Sequence, residues 1–159
     1  MSGMSRIVKT MASITFPLTM IYGLYIIAHG HLTPGGGFQG GAVVASSCAL
    51  ILVAYGSVWA MDKIKGKHLS IDQILESVGA IGFIGLAFLG LIFGTMFFKN
   101  FLVGNDFLFG EIGKGLSNIS TAGALPLMNF AVGLKVIAGL FGIVLVMAYG
   151  TTSFKEGKK

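Results

Sequence analysis

Lys135 is the residue whose chemistry demands an explanation first. It stands ten residues into the run Leu125 to Gly150, which carries no other charge. An ionised lysine at the centre of a bilayer costs about 2.5–3.5 kcal/mol. It therefore needs a partner, a water-filled path, or the loss of its proton. On a helix, Ala131, Ala138, Gly139 and Gly142 share its face, a small-residue surface suited to packing against protein. Two readings stay open: a member of an ion or proton path, or a structural ion pair or snorkelling side chain.

His29 and His31 flank a glycine and titrate near physiological pH, so a proton relay is one option. The other is hydrogen bonding to backbone carbonyls freed in a connector. Two histidines alone do not complete a metal site. Gln39, Asn129, Ser46 and Ser47 are polar residues within apolar runs, able to line a wet path or to hydrogen-bond between helices. Cys48 is the single cysteine, which excludes an internal disulfide and a thiolate cluster. No nucleophile–base pair, paired carboxylates or cofactor motif accompanies these residues. The chain is not expected to be an enzyme by itself, or to hold a cofactor or a metal.

The elements that position these side chains are membrane helices. Apolar residues make up 54% of the chain and charged residues 11%, which leaves little to build a water-facing surface. Crossing a bilayer core of about 30 Å takes roughly 20 apolar residues. Four stretches qualify, giving predicted helices over about 10–29, 38–61, 71–98 and 126–150. The fold class is all-α, and residues 1–159 form one transmembrane domain, multi-pass in the cell membrane. The first run is longer than a signal-peptide core and is expected to remain as a span, with Pro17 near its start. Ser70 and Gln73 fit a capping box at the start of the third helix, with Asp72 in its first turn. That start puts Glu76 near the membrane edge. No acid then falls mid-span, so a carboxylate for Lys135 must come from another subunit. Pro126 suits the first turn of the fourth helix.

Arg6, Lys9, Lys63, Lys65, Lys67, Lys155, Lys158 and Lys159 fall on one side of this arrangement, and only Lys99 and Lys114 on the other. By the positive-inside rule both termini are cytoplasmic. Topology accounts for the net charge of +5, and no nucleic-acid partner is implied. The connector 99–124 is apolar for a loop, with Phe101, Leu102, Phe107 and Phe109. It is expected to lie along the outer membrane surface or cover a neighbouring subunit.

Glycine marks the helix contacts. Gly79, Gly82 and Gly85 recur every three residues; Gly36/Gly40, Gly37/Gly41 and Gly90/Gly94 are GxxxG pairs. The connector between the first two helices reads His-Gly-His-Leu-Thr-Pro-Gly-Gly-Gly-Phe-Gln-Gly-Gly, residues 29–41. It lacks the GxxxxGK[ST] pattern of a phosphate loop. Gly35 to Gly37 instead allow positive φ and a close approach of the second helix to another.

This connector, through Pro34, Gly35, Gly36, Gly37, Phe38, Gln39, Gly40 and Gly41, resembles the signature of the MnhB or MrpB family, small membrane components of Mrp-type multisubunit Na+/H+ antiporters. Pro126-Leu127-Met128-Asn129 and Val132-Gly133-Leu134-Lys135-Val136 resemble that family's fourth helix. The His-Gly-His-Leu-Thr form is also similar to copies embedded in archaeal membrane-bound hydrogenases and related respiratory complexes. The resemblance implies an accessory membrane subunit of a Na+/proton antiporter module, coupled to a redox-driven ion-pumping complex such as a membrane-bound hydrogenase. Its partners would be other Mrp-type antiporter subunits, with hydrogenase-like Fe–S subunits in the coupled case, and Na+ and H+ would be the transported ions. The glycine signature and Lys135 are the positions the resemblance marks. The alternative is a scaffold subunit that docks its neighbours without lying on the ion path.

Overall fold

The computed structural model describes residues 4–32, 34–56, 59, 67–94, 96–98, 100 and 122–156. Four helices account for nearly all of them: α1 (Arg6–His29), α2 (Gly36–Tyr55), α3 (Lys67–Gly94) and α4 (Leu125–Glu156). Among the described residues there is no strand. All four are long and apolar enough to cross a membrane. The chain is a multi-pass membrane protein, as its composition demands. The apolar connector 101–121 lies outside the described residues.

The helices pack in the order α1, α2, α4, α3, with α1 also touching α4. α2 is the central element: 44% of its spanning window is buried inside the chain, against 17% for each of the other three. The remainder of the apolar surface is left for lipid or for other protein. Leu52 of α2 and Leu145 of α4 form the buried apolar centre at one end, with Phe141, Val144 and Ala148 around them. That end also holds the start of α1. The Met4 N–H donates to the Ala54 carbonyl, the Ser13 and Tyr55 hydroxyls hydrogen-bond at 3.0 Å, and the Lys9 ammonium lies 5.6 Å from the centre of the Tyr55 ring. The opposite end carries the α1–α2 connector.

Helix limits depart from the sequence expectation in five places, one being the end of α4, which runs on to Glu156 and not to about 150. α1 begins at Arg6, so Pro17 falls near its middle and not near its start. Proline at that position leaves the carbonyl four residues earlier, Ser13, without a helical N–H donor. Neighbouring hydroxyls stay bonded to the local backbone, Ser13 to the Lys9 carbonyl at 2.9 Å and Thr19 to those of Thr15 and Phe16 at 3.0 Å. α2 stops at Tyr55, short of Met61, because Gly56 takes φ 91°, where the helix cannot continue. The Trp59 ring then lies tilted against that of Tyr55, with ring centres 4.7 Å apart.

α3 starts at Lys67, so Ser70 is inside the helix and the capping box is not its N-terminus; Asp72 lies beyond the first turn. α3 also ends at Gly94, before Phe98. Phe98 takes φ 61°, the Phe83, Phe97 and Phe98 rings cluster, and the Phe98 N–H reaches back to the Ala87 carbonyl. Asn100 then clamps the start of α4: its Nδ2 donates to the Ala122 carbonyl at 2.8 Å and its Oδ1 accepts from the Ala124 N–H at 2.7 Å.

Candidate functional site

The sequence candidates separate into two places. The first is the connector end of α1, α2 and α4. Gly35 has φ 141° and Gly36 has φ 60°, so the backbone turns into α2 through two conformations that side chains disfavour. Asn129 of α4 sits inside this turn. A β-carbon on Gly30 would stand 3.0 Å from its Nδ2, and one on Gly36 would stand 3.3 Å from its Oδ1. A β-carbon on Gly37 would run into the Asn129 carbonyl and come within 3.0 Å of the Gly133 nitrogen. The signature glycines therefore fit the backbone of α4, and Asn129 is the side chain they close around.

The same logic extends down the helices. A β-carbon on Gly40 would meet the Gly23 carbonyl at 2.7 Å and the Ile27 nitrogen at 2.8 Å; one on Gly41 would meet the Gly133 carbonyl at 3.0 Å. α1 and α4 are thus each held against α2 by close backbone contact, and they meet each other where Ile27 packs on Gly133, the arrangement small residues permit in lipid.

The remaining candidates at this end do not join one cavity. His29 stacks on Tyr25 at 4.7 Å, and His31 lies tilted to His29 at 6.4 Å. Both rings are half-buried. Gln39 is exposed and curls toward Gly35, and Pro34 and Phe38 face outward. Ser46 donates to the Ala42 carbonyl and Ser47 to the Val44 carbonyl, each at 2.7 Å. Those two hydroxyls are bound to their own helix. No group of three metal-ligating side chains occurs among the described residues.

The second place is the seam between α3 and α4. Lys135 is on the side of α4 that meets α3, remote from the α2 contacts. Gly79 fits against its backbone: a β-carbon there would stand 2.8 Å from the Ala131 carbonyl and 2.8 Å from the Lys135 nitrogen. The small-residue face around Lys135 is therefore a packing face, yet the lysine side chain itself is exposed. Glu76, one α3 turn from Gly79, lies beside Gly139, with its Oε1 3.8 Å from where a β-carbon on Gly139 would be.

That contact sets the height of Glu76 against α4. Gly139 is fourteen residues after Leu125 and eleven before Gly150 in the spanning part of α4. At ~1.5 Å per residue this is ~21 Å from one end and ~17 Å from the other. Glu76 is thus level with the middle of the spanning part of α4, while it stands four residues into the spanning part of α3, Asp72–Phe93. It makes no ion pair with Lys135. Side chains lean toward the N-terminus of their own helix, and α3 and α4 are antiparallel, so Glu76 and Lys135 lean apart.

Glu76 opens into a cleft of about 340 Å³, with Asp72 and Gln73 beside it on α3 and Gly139, Gly142 and Met147 on α4. The signal for this was present in the spacing. Glu76 precedes Gly79, Gly82 and Gly85 in the same every-third-residue stripe, so an acid heads the small-residue face of α3.

Comparison with known proteins agrees with this architecture. Residues 7–142, from α1 to the middle of α4, match the family model described as a domain related to the MnhB subunit of Na+/H+ antiporter. An uncharacterized protein of Methanocaldococcus jannaschii is 38% identical over 133 residues, covering 80% of this chain and 47% of that protein. The corresponding Na+/H+ antiporter component of Bacillus subtilis is 37% identical over 49 residues, 31% of this chain and 34% of its own. A putative antiporter subunit of Staphylococcus aureus, mnhB2, is 27% identical over 96 residues, 60% of this chain and 64% of its own. The chain spans less than two thirds of each of these relatives. With four membrane-crossing helices and a family match over most of its length, the chain belongs to the MnhB family.

Proposed function

We propose that this chain is an accessory membrane subunit of a multisubunit Na+/H+ antiporter module, assembled with other subunits of Mrp type. The observation that supports this most is the match to the MnhB family model across residues 7–142. The finer reading couples that module to a redox-driven ion-pumping complex such as a membrane-bound hydrogenase. The His29-Gly30-His31 form of the signature is what suggests it. The lysine distribution supports an orientation with the basic end of the bundle toward the cytoplasm.

Within the module, Lys135 supplies a fixed positive charge or a protonatable site at an interface between subunits. A charge exposed on a spanning helix is functional by default unless a partner neutralises it. The rival is the scaffold role, in which the packed glycines matter and Lys135 does not.

Isolation of the native complex in mild detergent, followed by identification of its subunits, tests the assignment. Antiporter-type subunits in the preparation support it, and added Fe–S subunits support the redox-coupled form. Recovery of the chain as a lone homo-oligomer contradicts both. For the ion-path role, Lys135→Ala should reduce Na+-driven proton exchange in everted vesicles while assembly is retained. Undiminished exchange in a fully assembled variant would leave the scaffold role standing.

A further inference from the structure

We infer that the α3–α4 cleft is a docking groove for one transmembrane helix of another subunit, and that this helix carries a lysine or arginine level with Glu76. The inference rests on the reading of the chain as one subunit of a membrane assembly.

Three observations converge on the cleft. Its α3 wall carries the exposed carboxylate of Glu76 beside Gln73, with no base among the described lining residues. Its α4 wall offers Gly139 and Gly142; a β-carbon at Gly142 would meet nothing within 4 Å, so a neighbouring backbone can come close. Its rim is apolar, with Ile143, Val146 and Met147, and Ile143 and Met147 are 59% and 69% exposed. A small hydrated ion has no use for such a rim, whereas a helix buries it.

Charge then selects the helix. Glu76 is exposed at the middle of α4, where lipid would otherwise meet a carboxylate. Covering it with a purely apolar helix would bury an uncompensated charge. Lys135 does not neutralise it, since the two side chains make no ion pair and lean apart. A basic side chain from outside is the complement, and Gln73 and Glu76 supply acceptors for its several donors.

The test uses the intact complex with a photo-crosslinking amino acid in place of Met147. The expected adduct joins the chain to a different membrane subunit, at a spanning segment that contains a lysine or arginine. An adduct with a second copy of this chain, with lipid alone, or with a segment lacking a base would overturn the proposal. Glu76→Lys should lower the ratio of that subunit to this chain by about tenfold after purification, and changing the partner's base to an acid should restore it. If Glu76→Lys does not accumulate, Glu76→Gln keeps the shape and should still lower the crosslinking yield at Met147. An unchanged yield would count against the pairing. The identity of the subunits in the unmodified complex is read separately. An adduct to a basic helix of a non-antiporter protein would sink the functional reading and spare the groove.

Discussion

The junction of α1, α2 and α4 and the seam of α3 and α4 are both lined with glycine, yet they use it in opposite ways. At the junction, β-carbons added on the signature glycines of α2 meet backbone: Gly37 the Asn129 carbonyl, Gly40 the Gly23 carbonyl, Gly41 the Gly133 carbonyl. At the seam only Gly79 is closed in this way. Gly85 and Gly142 face open space, and the Glu76 and Lys135 side chains are exposed. The first region consumes its small residues in folding the chain. The second keeps them, with its charges, for something outside it. A glycine pattern by itself does not distinguish these uses; the distance to the neighbouring backbone does.

This contrast can be broken most sharply at Gly37. Gly37→Leu should cost about 3 kcal/mol or more, the upper end for overpacking, because the carbonyl it meets belongs to a helix and cannot move aside. Loss of monodisperse chain on size exclusion in detergent would register it. Gly40→Ala should cost about 1–3 kcal/mol on the same argument, read as a lowered thermal midpoint. Asn129→Ala should cost less, about 1 kcal/mol, since it opens the turn at Gly30 and Gly36 without forcing backbone apart. Gly85→Ala and Gly142→Ala should leave the isolated chain within about 0.5 kcal/mol of the parent. A large loss at either position would mean the seam is closed, and the comparison would fail.

Much of the fold was legible in the sequence because the bilayer imposes it. Spans of sufficient length and a connector rich in glycine follow from local composition. The close approach of Gly37 to another helix was also readable, since three successive glycines serve little else. What was not legible depended on register between helices. Ser70 and Gln73 have the spacing of a cap, but α3 begins three residues before Ser70. Apolar composition alone starts the first span after Lys9 and so puts Pro17 near its start, whereas Arg6 and Lys9 are part of α1. Glu76 is near the start of α3 and, at the same time, beside the middle of α4. Counting along one helix gives only the first of these facts. Lys135 was legible as a mid-span charge on a small-residue face, with its role left open between two readings.

The difference between the closed and the open glycines is tested most directly by Gly142→Leu in the native assembly. The measurement is the amount of each co-purifying membrane subunit per molecule of this chain. The account predicts that the chain accumulates and melts as the parent does, while at least one neighbouring subunit is lost. A full complement of subunits on Gly142→Leu, or a chain that no longer folds, would contradict it.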